Sequence, residues 1–323
     1  MSKLTKACVY LLVAVILMCR VSMAYAWTTE YLGPSISKAG YDYGSSFMYG
    51  DGPYIKSWWC GQKPGSAGDH IYYSEWYPTG WTTPEVVLTP GEPWATLHVC
   101  DPSVIKGSFT YNGTNYSYAM YYTGARLGGG PNGDDTMIGV ALSNDGKNWV
   151  KYSGNPIIGV ANPPSTGYGA GQPSAWTPDG RNVWIVYLDS TMNNEILFRE
   201  SADAIHFGGW STTQLKQGSR GLQSPDISYS GIEHRWYAAM SSGDLLNVIL
   251  LRSNDDNLFG SWTEIGFFNG TNTGATHNHN PGLLRVPNGN LYVESGTDWR
   301  YVQFGCGWSD PSIWDLHWGR FKP

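Results

Sequence analysis

A polar residue followed by proline recurs four times along this chain, and each time it opens an apolar strand answered by a second, Tyr/Trp-rich one. The copies are Cys100-Asp101-Pro102-Ser103-Val104-Ile105 with residues 118–122, and Gln172-Pro173-Ser174-Ala175 with 183–188. They continue with Ser224-Pro225-Asp226-Ile227 and 235–240, then Asn280-Pro281-Gly282-Leu283-Leu284 and 290–293. A weaker fifth copy, residues 46–49 with 54–59, lies near the N-terminus. The four prolines stand 71, 52 and 56 residues apart. Self-similarity at a period near 50 residues is the signature of a propeller or array, in which each module buries its faces against its neighbours.

The second strands interleave aromatic and small residues with period two, as a sheet sandwiched between sheets requires. Asp51-Gly52, Asn112-Gly113, Asp179-Gly180 and Asn288-Gly289 fall between first and second strands, where hairpins need turn residues. Third strands end in Ser143-Asn144-Asp145-Gly146-Lys147-Asn148-Trp149, in Ser201-Ala202-Asp203 before Trp210, and in Ser253-Asn254-Asp255 before Trp262. The composition agrees: 41 Gly, 19 Pro, 16 Trp and 22 Tyr with 14% charged residues suit neither a helical bundle nor a disordered chain. The expectation is an all-β protein, a five-bladed β-propeller occupying residues 27–323 as one domain. A two-sheet sandwich with five long hairpins would leave the recurrence of the cassette unexplained.

Residues 1–26 read as a signal peptide. Lys3 and Lys6 precede a 13-residue apolar run, Ala7 to Cys19, and Ala24-Tyr25-Ala26 supplies small residues at a cleavage site. The run is shorter than the roughly 20 residues that span a bilayer, so a secreted chain without a membrane anchor is expected. Of the 20 Lys and Arg, three lie in this segment; the remaining 17 face 26 Asp and Glu, a net charge of −9. An acidic chain without a basic cluster argues against nucleic acid as a partner. Cys60, Cys100 and Cys306 allow at most one internal disulfide, whose pairing the sequence leaves open.

The Asp-Pro-Ser-Val-Ile opening, the Tyr121-Tyr122-Thr123-Gly124 strand end and the run from Ile138 to Trp149 followed by Gly154-Asn155-Pro156-Ile157-Ile158 resemble five-bladed glycoside hydrolases. These are the family 43 arabinanases and β-xylosidases, related to the invertase and levansucrase families. The resemblance implies a funnel lined by three carboxylates, two of which flank a glycosidic bond. One donates a proton to the leaving oxygen; the other attacks the sugar or activates water on its opposite side. Their environments must differ, because the first needs a raised pKa and the second must stay ionised.

Carried over residue by residue, the pattern places Asp101 at the ion-pairing or pKa-tuning aspartate and offers Asp42 as base or nucleophile. The acid, a Glu two residues before a blade proline, is replaced by Gly171 and Gln223. Asp189 and Glu294 at second-strand ends, Glu195 opening a third strand, and Asp226 are candidate replacements at the same mouth. Gln172 and Gln223 are candidate sugar-binding residues, and Trp59 and Tyr122 candidate stacking platforms. The resemblance also implies that His279 faces a calcium or sodium ion on the axis or hydrogen-bonds a sugar hydroxyl; no cofactor is required. Carbohydrate is the expected partner, of a monomer. Three functions are consistent with these residues. The first is a secreted glycoside hydrolase and the second a propeller that binds glycan without cleaving it. The third is a sialidase-like enzyme, which the five copies and the want of an arginine triad disfavour.

Overall fold

A computed structural model describes residues 26–323 except 39, 53, 127–135, 164–166, 216–220 and 309–313. The leader read at residues 1–26 therefore lies outside the described residues save for Ala26. Strand β1 (Thr28–Ile36) starts the chain and is followed by β2 (Asp42–Tyr49), β3 (Ile55–Gln62) and β4 (Asp69–Tyr77), with short β5 (Gly80–Trp81) and β6 (Glu85–Leu88) on β4. A second antiparallel ladder comprises β7 (His98–Tyr111), β8 (Thr114–Ala125), β9 (Met137–Ser143) and β10 (Trp149–Lys151). A third comprises β11 (Ala170–Trp176), β12 (Val183–Asp189), β13 (Glu195–Ser201) and β14 (Ser211–Thr212). A fourth comprises β15 (Gln223–Ser230), β16 (Arg235–Ser241), β17 (Val248–Ser253) and β18 (Trp262–Phe268). Last come β19 (His277–Arg285), β20 (Arg300–Gly307) and β21 (Asp315–Lys322), onto which β1 adds as an antiparallel edge.

The sheet holding β1 and β2 is continuous through nine strands, yet its two antiparallel ladders meet only at the parallel pairs Leu284↔Phe47 and Arg285↔Met48. The first strands β2, β7, β11, β15 and β19 contact one another in a closed cycle. Pairing of β1 with β21 joins the first and last described strands and covers what would be an open edge.

A belt of hydrogen bonds ties this cycle together. Ser46 Oγ accepts from Val104 N–H at 3.1 Å, Ser103 Oγ from Ala175 N–H at 2.9 Å, and Ser174 Oγ from Ile227 N–H at 2.9 Å. Asp226 continues the series, its Oδ2 accepting from Leu283 N–H at 2.6 Å. Small hydroxyls satisfy first-strand amides that no neighbouring strand can reach, because the strands diverge around the axis. Arg285, 2% exposed, fills the middle: its guanidinium donates to Ala175 O at 3.0 Å and Ser46 Oγ at 3.2 Å and pairs with Asp226 at 3.2 Å.

The copy opened by Asn280-Pro281 departs from expectation. The Asn288-Gly289 turn folds residues 290–292 back onto the end of β19 through Val286 N–H to Asn290 O, Tyr292 N–H to Leu284 O and an antiparallel Arg285–Leu291 bridge, but the long ladder on β19 is made by β20. Residues 286–299 cross the end of the cycle, held by Lys106 N–H to Pro287 O, Thr177 N–H to Asn288 O and Leu291 N–H to Tyr229 O.

Candidate functional site

Each first strand breaks register near its start. The interruptions lie between Tyr43 and Ser45, Cys100 and Ser103, Gly171 and Ser174, Gln223 and Asp226, and His279 and Gly282. At every one a residue takes left-handed backbone: Gly44 (φ 59°), Asp101 (46°), Gln172 (55°), Ser224 (50°) and Asn280 (47°). Four of these precede proline, which has no N–H to offer the ladder and so tolerates the bulge. Positive φ at four non-glycine residues costs about 1–3 kcal/mol each, a strain that collects at functional sites. Glycine is required at position 44 on a second count, since a Cβ there would stand 2.9 Å from Asp101 Oδ1. The five bulges and their prolines line a cavity of about 20 Å³ at the centre, room for about one water molecule.

Asp101 is the partly buried carboxylate of this ring. Desolvation pushes its pKa up to about 6, against hydrogen bonds from Thr123 and Asn280 and with help from the charge of Asp69. Asn280 Nδ2 donates to Oδ1 at 3.2 Å, and Tyr168 Oη donates to Oδ2 at 3.4 Å. Thr123 is itself oriented by accepting the Gln172 N–H at 2.8 Å. Asp69, opening β4, is the carboxylate beside it. Burial alone would raise its pKa, but hydrogen bonds from His98, Tyr41 and Tyr43 outweigh burial and hold it below the usual range. Tyr41 and Tyr43 donate to its two oxygens at 2.6 and 2.9 Å, and His98 Nδ1 lies 3.0 Å from Oδ2. Tyr43 Oη lies 3.3 Å from Cys100 Sγ, whose disulfide to Cys60 ties the end of β3 to the start of β7. Cys306 remains a buried thiol.

Of the other expected carboxylates, Asp226 alone lines the same cavity. Asp42 is fully buried behind the mouth, bound by Trp59 Nε1 at 2.6 Å and Lys38 Nζ at 3.0 Å; burial lifts it to about 6 despite the lysine. Asp226 lines the central cavity, where its oxygens are taken up by Arg285, Ser174 and the Leu283 amide, the contacts of a structural residue. Asp189 is likewise structural, capping the turn 190–192 through Thr191 and accepting the Ala161 N–H at 2.7 Å. Glu195 sits opposite it in the β12–β13 register, half-buried. Glu294 belongs to the crossing segment at the other end of β19 from the mouth, bonded to Thr297 and Tyr301, because the second strand was misplaced in sequence.

Gln172 is at the ring, where its Oε1 accepts the Ser224 N–H at 2.8 Å; Gln223 precedes it in the adjoining bulge, half-buried. The stacking roles of Trp59 and Tyr122 are corrected by burial. Both rings are fully enclosed: Trp59 against Tyr72, and Tyr122 against Trp94 with its hydroxyl on Glu92. His279 is buried too. Its Nδ1 meets Asn280 Oδ1 at 2.8 Å, Nε2 has no partner, and burial lowers its pKa to about 4. The ring packs against Trp314 at 4.3 Å and Tyr43 at 5.8 Å, surroundings that do not fit calcium or sodium, which take oxygen ligands. The one group of potential metal ligands among the described residues, Cys60, Asp69 and Cys100, has both sulfurs spent in the disulfide.

Sequence reasoning overlooked Asn280 although it holds the same cassette position as Asp101. Asp69 and Tyr43 carry no motif and are brought in by the pairing of β4 and β2 with β3.

Neither a family model nor a curated protein sequence matches the chain. Solved structures do. An α-L-arabinofuranosidase from Podospora anserina, in complex with cellotriose, aligns with a TM-score of 0.61 at 9% identity over 92% of this chain and 98% of that one. The catalytic domain of the Coprinopsis cinerea GH62 α-L-arabinofuranosidase aligns at 0.60 and 13% identity over 92% and 96%. A GH43_1 enzyme from Xanthomonas citri, complexed with xylotriose, aligns at 0.60 and 13% over 89% of both chains. The chain thus shares its propeller-like all-β fold with these glycoside hydrolases across nearly its whole length.

Proposed function

We propose that this protein is a glycoside hydrolase, exported as its leader-like start implies, whose five ladders are the blades of a five-bladed propeller. The reading rests on one observation above the rest. Two neighbouring carboxyls, Asp101 at the mouth and Asp69 buried behind it, have pKa values driven apart, Asp101 up to about 6 and Asp69 below its usual range. Glycosidic cleavage asks for that division, one group able to give a proton and another that stays charged. Asp101 is the proton-transferring group, and Asp69 stays ionised under Tyr41, Tyr43 and His98, its charge keeping Asp101 protonated to higher pH. The solved structures of the same fold are arabinofuranosidases and related enzymes, two of them with oligosaccharides bound, which favours a glycan as substrate.

The alternative, a propeller that binds glycan without cleaving it, is favoured by Gly171 and Gln223, which stand two residues before blade prolines where the resembled enzymes would carry the acid. Purified protein assayed on arabinan, xylan, fructan and aryl-glycosides, with binding followed in parallel, separates the two. Turnover abolished by Asp101→Asn supports the hydrolase; saturable binding with no turnover of any of these substrates replaces it with the binder.

A further inference from the structure

A second cavity, of about 340 Å³, opens at the other end of the sheets and is lined by Trp176, Trp184, Tyr229, Trp236, Asn257 and Phe259. Trp176 and Trp184 form the last pair of β11 and β12, whereas Ala170 and Asp189 form the first, at the mouth side. Tyr229 and Trp236 pair near the corresponding end of β15 and β16, and residues 254–261 connect β17 to β18 there, beyond the Ser253↔Trp262 pair. The cavity therefore lies between the third and fourth ladders, away from Asp101.

From this geometry we infer that the cavity is a carbohydrate-binding site distinct from the hub, which holds one sugar ring of a neutral polysaccharide against its aromatic wall. Indole and phenol faces offer an electron-rich surface to the C–H face of a pyranose or furanose, and Asn257 and Asp256 at the rim supply hydrogen-bonding groups for its hydroxyls. Trp184 stacks on Trp236, 19° apart with centroids at 6.2 Å; Trp176 and Trp236 are buried behind, and the partly exposed Trp184, Tyr229 and Phe259 form the accessible wall. Phe259, 41% exposed and edge-on to Phe198, borders the opening.

A quaternary or guanidinium cation is the competing occupant, since aromatic walls with a carboxylate also suit cations. Charge disfavours it. Asp256 is already faced by His234 Nδ1 at 3.8 Å and bonded to Tyr229, and Arg235 acts on the same phenol. The volume also lies in the range of small-molecule sites, more than a lone ammonium group fills. The choice of a sugar over other neutral rings rests on the glycan reading of the hub; the site itself does not.

Native gel electrophoresis through arabinoxylan, inulin or β-1,3-galactan tests the inference on the full chain. Retardation by at least one polymer is expected, weakened about tenfold in Trp184→Ala, the scale of one lost aromatic contact. Asn257→Ala and Phe259→Ala, whose melting temperatures are to be compared with the parent, carry the test if Trp184→Ala does not fold. Asp101→Asn is expected to keep the retardation. The inference is overturned if no polymer retards the protein, if all cavity variants that fold are retarded like the parent, or if Asp101→Asn abolishes retardation. Saturable quenching of tryptophan fluorescence by tetramethylammonium without any response to the polymers would overturn it in favour of a cation. Trp184-dependent retardation without hydrolysis would remove the enzymatic reading of the hub and leave this site standing.

Discussion

Arg285 and Asp226 form an ion pair at 3.2 Å in the centre of the molecule, where strands from all five ladders converge. Burial raises the pKa of Asp226 despite the guanidinium, and its two oxygens also receive Ser174 and the Leu283 amide. Breaking one side of such a pair leaves a buried charge uncompensated, at a cost of about 3–5 kcal/mol. Arg285→Met should therefore lower the denaturation midpoint in urea by that equivalent. An Asp226→Asn variant of undiminished stability but without activity would instead return Asp226 to a chemical role.

Asp101→Asn removes the carboxyl that is held at the mouth by Asn280, Thr123 and Tyr168. Hydrolysis should fall by at least about a hundredfold, the scale of a lost acid–base group. Stability should change little, because the amide keeps the hydrogen-bonding outline of the acid. Steady-state assays with a matched thermal melt check both halves.

The pH dependence follows from the same shift. With Asp101 raised to about 6 as proton donor, kcat/KM should decline above about pH 6. Asp69→Asn removes the negative charge that helps to raise it, so the declining limb should move to lower pH. A limb at the parent position in that variant would separate Asp69 from the tuning of Asp101.

Stability against pH carries opposite contributions that comparison of variants can resolve. A carboxyl whose pKa is higher in the folded than in the unfolded chain binds its proton more tightly when folded, so Asp101 and Asp42 favour folding below about pH 4. That contribution is lost as pH rises to about 6. His279, lowered to about 4, works the other way: its contribution is present above about pH 6.5 and lost as pH falls toward 4. Asp101→Asn should accordingly lose less stability than the parent between pH 4 and 6, measured by urea midpoints at each pH.

The Cys60–Cys100 bridge closes a segment of 40 residues and ends next to Asp101. Cys60→Ser with Cys100→Ser should cost about 2–4 kcal/mol of stability, most of it through the unfolded chain. If activity falls further than the fraction unfolded explains, the bridge also holds Tyr43 and Asp101 in place; equal losses confine it to stability.

Much of this organisation is legible in the sequence. Polar-Pro cassettes at a period near 50 residues marked the start of the first strands, and those prolines stand at the bulges because a missing N–H and a break in the ladder coincide. Asp101 stands at such a bulge for the same reason. In the Asn280-Pro281 copy the Asn288-Gly289 turn closes only a short hairpin, because the chain there is recruited across the cycle by Lys106, Thr177 and Tyr229 and leaves the long ladder to β20.

What the sequence alone determined is the modular all-β organisation, since periodicity, turn residues and proline placement are local properties. Which carboxylates share one environment was decided by tertiary structure. Asp69, remote from Asp101 in the cassette, stands beside it through strand pairing, a shared tyrosine and the disulfide; Asp226, next to a cassette proline, is captured by Arg285. Burial and charge are sums over neighbours drawn from distant parts of the chain, and no spacing along the sequence reports them.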